Sequence, residues 1–353
     1  MFRKKFMEEN LYQRVLISRT DNIGDVILTL PMAALIKEKY PNSKILFLGK
    51  KYTKPIIDIC TNIDEFYDWD EIKKSSDIAN ELNKINCDTI IHVFPNKEIA
   101  KSAKKAGIKN RVGTNRRLFH WIYCNKNITL SRKKSDLHES QLNLKLLSPL
   151  NINTELKTNQ ISNFYGLKIK NKLPEKFNNL IDNSKFNLIL HPKSKGSARE
   201  WGVDNFVTLA NSLPEESFKV FFSGSAEESN FIKSNIINRC PSAIDISGLF
   251  NLNEFISFID MCDGLIANST GPLHIASALG KNTIGLYPPI EAMAPKRWAP
   301  IGIHAQYLIG KNISKNEYCN IKCTIQKKCL CMENISPNIL LNIITTWKKI
   351  SNG

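Results

Sequence analysis

Short apolar runs rich in β-branched residues alternate with segments of helical period along this chain, and the alternation starts afresh at Phe186. Arg14-Val15-Leu16-Ile17 is followed by a helical stretch with Ile27, Leu30 and Ala34 in step. Then come strand-like runs at Lys44-Ile45-Leu46-Phe47-Leu48, Glu65-Phe66-Tyr67-Asp68, Asp88 to Val93 and Asn110 to Gly113, with helical segments between them. Phe186 to His191, Lys219 to Phe222, Gly264 to Ala267 and Thr283 to Tyr287 repeat the pattern. Strands spaced by helices in this way build parallel, doubly wound sheets. A chain of 353 residues is long enough for two domains of about 150 residues each. The expected fold class is therefore α/β, with two Rossmann-like domains: 1–165, a linker 166–185 containing Pro174, 186–335, and a terminal helix 336–353. Pro31 is expected to kink the first helix, because its ring removes a ladder hydrogen bond. The segment from Thr114 to Ser140 shows no clear period and reads as a basic loop.

Ligands of such sheets bind beyond the carboxyl ends of the strands, so the turns there hold the candidate chemistry. In Ser18-Arg19-Thr20-Asp21-Asn22-Ile23-Gly24-Asp25, a strand hands over to a helix and Asp25 falls in the first helical turn. Unpaired N–H groups and the helix dipole keep a carboxylate ionised there. Two readings stand on these residues alone: Asp25 caps the helix, or it accepts a proton from a substrate hydroxyl. In the second half, Lys193 to Arg199 offers the hydroxyls of Ser194 and Ser197, the cations Lys195 and Arg199, and backbone N–H groups. Ser269-Thr270-Gly271-Pro272 lets a backbone approach a diphosphate at a helix start, and His274 lies in that first turn. A buried core histidine is the competing reading of His274.

Charge narrows the partners. The net charge is +16, and from Lys101 to Lys134 there are eleven basic residues and no acidic one. Such a run suits nucleic acid, an anionic membrane or a phosphorylated substrate. Its arginines, Arg111, Arg116 and Arg117, fit bidentate phosphate binding better than the lysines do. The aromatic interleaving of single-strand binders is missing, which argues against nucleic acid. No apolar run reaches the length of a membrane span, and the first residues lack a signal-peptide core, so a cytoplasmic location is expected. Cys319, Cys323, Cys329 and Cys331 have the spacing C-x3-C-x5-C-x-C, a poor match to a zinc ribbon. With no H-E-x-x-H, P-loop or G-x-S-x-G, no metal or cofactor is expected. A leaving diphosphate would then rest on Lys195, Arg199 and helix N-termini.

The stretch from Arg19 to Asp25 with Thr29-Leu30-Pro31, the loop His191-Pro192 with Arg199-Glu200-Trp201, and the run from Asp263 to Gly280 resemble, in order, the signatures of the bacterial heptosyltransferases, the ADP-heptose:lipopolysaccharide family (glycosyltransferase family 9). The resemblance spans most of the chain. It implies a GT-B fold, with the two domains facing a central cleft, and inverting, metal-independent transfer of heptose from ADP-heptose to a lipopolysaccharide inner-core or lipid A acceptor. On this resemblance the first domain binds acceptor and the second binds the nucleotide sugar. Asp25 matches the general base, and Arg19 and Asn22 match positions on the acceptor side. Arg199 matches a diphosphate-binding cation, and Thr270, Gly271 and His274 match the nucleotide turn. Ser269 stands where many members carry aspartate, which leaves the donor sugar open. Arg111, Arg116 and Arg117 would meet phosphates of the lipid A–core acceptor, at the cytoplasmic face of the inner membrane. The rivals are a nucleotide-sugar epimerase of the same architecture and a phosphorylated-glycolipid-binding protein without catalysis.

Overall fold

The computed structural model describes residues 12–132, 135–311 and 329–347. It falls into two compact units, Met1–Lys168 and Ile169–Gly353. In the first, β1 (Arg14–Ser18), β2 (Lys44–Gly49), β3 (Glu65–Asp68), β4 (Thr89–His92), β5 (Asn110–Thr114) and β6 (Lys126–Ile128) form one sheet in the order β3-β2-β1-β4-β5-β6. Every pairing is parallel. β1 lies between β2 and β4, with Ile17 opposite Phe47 on one side and Ile91 on the other. Its apolar run is continuous rather than alternating because both faces are covered. Leu16, Leu46, Leu48 and Ile90 pack with Leu82, Ile99 and Ala103 of the flanking helices.

The second unit repeats this plan. β7 (Phe186–His191), β8 (Phe218–Phe222), β9 (Ile244–Asp245), β10 (Gly264–Asn268), β11 (Asn282–Tyr287) and β12 (Ala305–Ile309) pair in parallel in the order β12-β11-β10-β7-β8-β9. Counted from each unit's own first strand, both sheets read 3-2-1-4-5-6. Strand order therefore reverses between β1 and β4 in one unit and between β7 and β10 in the other. Those are the places where an open parallel sheet leaves a crevice.

Several expectations change at this level. The first helix does not kink at Pro31; it ends, with one helix over Ile23–Ile27 and another beginning at Pro31 itself. Proline suits that first position, where its missing N–H has no partner to lose. The stretch read as a loop after Thr114 contains the helix Leu118–Tyr123 and the strand β6. The terminal helix covers Pro337–Ile344. Cys329 and Cys331 are buried in the core of the second unit; Cys319 and Cys323, like Lys133 and Lys134, lie outside the described residues. No helix among the described residues is long and apolar enough to cross a membrane.

Candidate active site

At the first unit's switch point, β1 runs out at Ser18 and the chain turns into the short helix Ile23–Ile27. The Val26 amide donates to the Asn22 carbonyl, which opens the helix and sets Asp25 in its first turn. The Arg19 side chain, only 4% exposed, occupies the middle of this turn. Its Nε donates to Asp21 Oδ1 at 2.7 Å, one terminal nitrogen donates to Asp25, and the other donates to Glu139 Oε1 at 3.3 Å. Glu139 is itself 1% exposed and also accepts from Arg132. Asn143, on the same helix as Glu139 (Glu139–Lys145), accepts from both arginines and donates to the Leu28 carbonyl and Thr29 hydroxyl. The arrangement ties the turn after β1 to a helix more than 110 residues later.

Two guanidiniums and three carboxylates make this network, so one negative charge is in excess when all are ionised. Burial works against the Arg19 charge, but Asp21, Asp25 and Glu139 together outweigh it and hold the guanidinium more firmly protonated than usual. Asp21 is pushed up to about 6, chiefly by burial, with Arg19 opposing and Asp25 adding to the rise. Asp25 keeps 17% of its side chain exposed. It opens onto a cavity of about 550 Å³ whose lining includes Asp21, Asn22, Lys50, Phe94 and Asn96. A carboxylate oxygen fixed by a buried cation beside a pocket is placed to accept a proton from a bound hydroxyl.

The other expected residues of this unit separate. Asn22 is exposed and lines the cavity, and its side chain does not cap the helix. Arg19, expected on the acceptor side, is buried, and its guanidinium donates to Asp21, Asp25 and Glu139. Arg111 is half-buried, and its Nε and one terminal nitrogen donate to the carbonyls of Tyr123 and Ile108, which fastens the helix Leu118–Tyr123 to β5. Arg116 and Arg117 are exposed. Glu139, Asn143 and Arg132 were not singled out in the sequence. The available signal was His138-Glu139-Ser140 opening a helix, a carboxylate at a helix start in a region otherwise crowded with cations.

In the second unit the crevice lies between the ends of β7 and β10. Asn268, fully buried at the end of β10, spans it: Oδ1 accepts the Trp201 amide at 3.0 Å and Nδ2 donates to the Pro192 carbonyl at 2.9 Å. Trp201 is fully buried, donates through Nε1 to the Ile335 carbonyl at 2.8 Å and packs edge-on against Phe206. These two residues pin both ends of the loop from Lys193 to Glu200. Within it Ser194 to Ser197 closes a tight turn, with Lys195 and Gly196 both left-handed (φ 47° and 80°) and the Ser197 amide donating to the Ser194 carbonyl. Glycine takes that conformation without strain.

Ser194 is buried and bonded inside the loop, to the Ala198 carbonyl and to Glu200, which also pairs with Lys193 at 2.6 Å. Lys195 is exposed and pairs with Glu227 at 2.9 Å. Arg199 is half-buried, and among the described residues its Nε has no hydrogen-bond partner. Thr270 precedes the helix Gly271–Ala278; its side chain does not cap that helix, and its buried hydroxyl has no partner among the described residues. Ser269 reaches the buried Tyr287 hydroxyl, and His274 is buried in the helix's first turn. The helix-start amides and the Thr270 hydroxyl in this turn, and the Arg199 guanidinium in the loop before it, are donors of the kind that suit an anion. Among the described residues no three His, Cys, Asp or Glu side chains are grouped to hold a metal ion.

Comparison with known proteins agrees with this architecture. A Haemophilus influenzae protein named only as a glycosyltransferase is 26% identical over 351 residues, covering 96% of this chain and 99% of its own. Lipooligosaccharide heptosyltransferase 2 of Campylobacter jejuni is 23% identical, covering 93% and 96%. Among solved structures, a family 9 glycosyltransferase from Veillonella parvula superposes with a TM-score of 0.79 at 21% identity, covering 95% of this chain and 97% of that one. The ADP-heptose lipopolysaccharide heptosyltransferase II of E. coli gives 0.69 at 17% identity, covering 94% and 97%. Both carry the two-sheet GT-B-like architecture described above. The sequence model of glycosyltransferase family 9 (heptosyltransferase) matches residues 80–329, and the chain belongs to that family.

Proposed function

We propose that this glycosyltransferase moves heptose from ADP-heptose to a phosphorylated lipopolysaccharide acceptor, the inner core or lipid A, by inverting transfer without a metal ion. The observation that carries this reading is the Asp25 carboxylate, held by buried Arg19 at the edge of a ≈ 550 Å³ cavity. A sugar hydroxyl seated there gives its proton to Asp25 as its oxygen attacks the anomeric carbon. The bond from that carbon to the diphosphate oxygen breaks on the opposite face, and the nucleoside diphosphate leaves with the electron pair. Arg199, the Thr270 hydroxyl and the amides opening the helix Gly271–Ala278 are the groups suited to the charge that develops on the diphosphate. Relatives named as lipopolysaccharide and lipooligosaccharide heptosyltransferases support the donor and acceptor classes. Work at the cytoplasmic face of the membrane, in contact with anionic lipid, follows from an acceptor of that kind.

A donor screen tests the proposal. ADP-heptose should raise the melting temperature and support transfer to truncated core oligosaccharides, where UDP- and GDP-sugars do neither. Turnover with one of those sugars in preference to ADP-heptose would reassign the donor. Product formed without acceptor would point to epimerisation instead.

A further inference from the structure

Among the described residues of the first unit, the large apolar side chains left exposed are Tyr52, Phe94, Leu118, Trp121 and Ile122. All five lie in segments that follow β2, β4 or β5 at their carboxyl ends. That is the edge onto which Asp25 also opens, since all strands of the sheet are parallel. Three are concentrated on one short helix: Leu118 is 86% exposed, Trp121 64% and Ile122 59%. Their spacing, i, i+3 and i+4, places them on one helical face.

The helix is firmly held from behind. His120 is fully buried, and its Nδ1 lies 3.0 Å from the Thr114 amide. The Arg111 guanidinium takes the Tyr123 carbonyl, and Lys104 donates to the Ile122 carbonyl at 3.0 Å. The Trp121 indole N–H donates to the Asn115 carbonyl at 2.9 Å. Its polar end is thus satisfied inside the protein while the ring stays outside. An exposed tryptophan normally keeps that donor for water; here the ring can enter an apolar phase without stranding it.

The surroundings say what kind of phase. No acidic residue occurs from Ile99 to Arg132, and Lys101, Lys104, Lys105, Lys109, Arg116 and Arg117 are all exposed there. Lys105 faces Asp77 at 3.6 Å. A second copy of the chain would bring one cationic rim against another. An anionic bilayer supplies both an apolar interior for the wedge and phosphates for the rim.

We propose that the helix Leu118–Tyr123 docks this unit on anionic phospholipid, with Leu118, Trp121 and Ile122 entering the headgroup–acyl boundary and Arg116 and Arg117 on the headgroup phosphates. The inference specifies the membrane contact proposed above and rests on that reading only for where the acceptor resides. β5 is two strands from β1, about 10 Å across a sheet, so docking here would keep the cavity at Asp25 close to the lipid surface.

Vesicle sedimentation tests it, using phosphatidylglycerol–phosphatidylethanolamine vesicles against pure phosphatidylcholine. The intact chain should bind the anionic vesicles, and the triple variant L118S/W121S/I122S should bind at least tenfold more weakly with an unchanged melting temperature. The same variant should retain transfer to a water-soluble truncated acceptor, which separates a failed docking surface from a failed glycosyl-transfer reading. Equal binding by the triple variant, or no binding by the intact chain, overturns the proposal. So does loss of transfer to the soluble acceptor in the folded variant, which makes the helix an acceptor contact. Loss of self-association in place of vesicle binding would show a second copy to be the occupant.

Discussion

The two switch points share a strand order and almost nothing else. After β1, three carboxylates and two guanidiniums lock one another in place. After β7 and β10, the framework is held by an asparagine amide and a buried tryptophan, while Arg199 Nε and the Thr270 hydroxyl have no hydrogen-bond partner among the described residues. One crevice fixes a negative oxygen; the other leaves room and donors for a negative ligand. The fold provides the place and the side chains decide the sign of the chemistry done there.

Removing the fixed oxygen is the harshest way to break that contrast. Asp25→Asn keeps the size and a hydrogen-bond acceptor for Arg19 but cannot take a proton. General-base removal of this kind lowers turnover by about 10²–10⁴-fold, and donor binding, measured by calorimetry, should hold. Near-normal kcat in the variant would take Asp25 out of the mechanism. Arg19→Ala should come next. It strands Asp21, Asp25 and Glu139 together, and breaking a buried ion pair from one side costs about 3–5 kcal/mol. Thermal melting should show that loss, and Arg19→Lys should recover only part of it because an ammonium lacks the planar fork that meets several carboxylates. If Arg19→Ala melts like the parent, the network does not hold the turn.

The contrast also explains what the sequence did and did not disclose. The alternation of elements gave away both sheets, since a strand buried on both faces leaves an unbroken apolar run, as in Val15-Leu16-Ile17 and Leu188-Ile189-Leu190. Asp25 and the loop from Lys193 to Arg199 were legible because each is local to one strand-to-helix turn. Glu139 was not, because its meaning depends on packing against a turn 120 residues earlier. Arg19 and Arg111 look alike in sequence to Arg116 and Arg117. Only the positions of nearby carboxylates and carbonyls separate arginines that hold the protein together from arginines that face solvent. The edge strands β9 and β12 carry too few buried residues to show a period.

In the second unit the comparison sharpens to two cations. Arg199→Ala removes a guanidinium whose Nε has no partner among the described residues. A hydrogen bond to a charged group contributes about 1.5–3 kcal/mol, so KM for the nucleotide sugar should rise roughly tenfold to a hundredfold at that exchange rate. Lys195→Ala should do far less, within about threefold, because its ammonium is exposed and already paired with Glu227, and such surface pairs contribute little. Equal effects from the two would mean that the loop rearranges around the donor.

The smallest effect concerns Asp21, the member of the acidic crevice that burial shifts most visibly. Its carboxyl is raised from an ordinary 3.8 to about 6, so between those values the folded protein binds more protons than the unfolded chain does. Stability contributed by this group is therefore full below pH 3.8 and fades as the pH climbs toward and through about 6. Asp21→Asn removes that dependence while keeping an acceptor for Arg19. The melting temperature of the variant relative to the parent should become more favourable from pH 4 to about 6.5 and then level off. A difference that runs the other way would mean that Arg19 holds Asp21 ionised throughout.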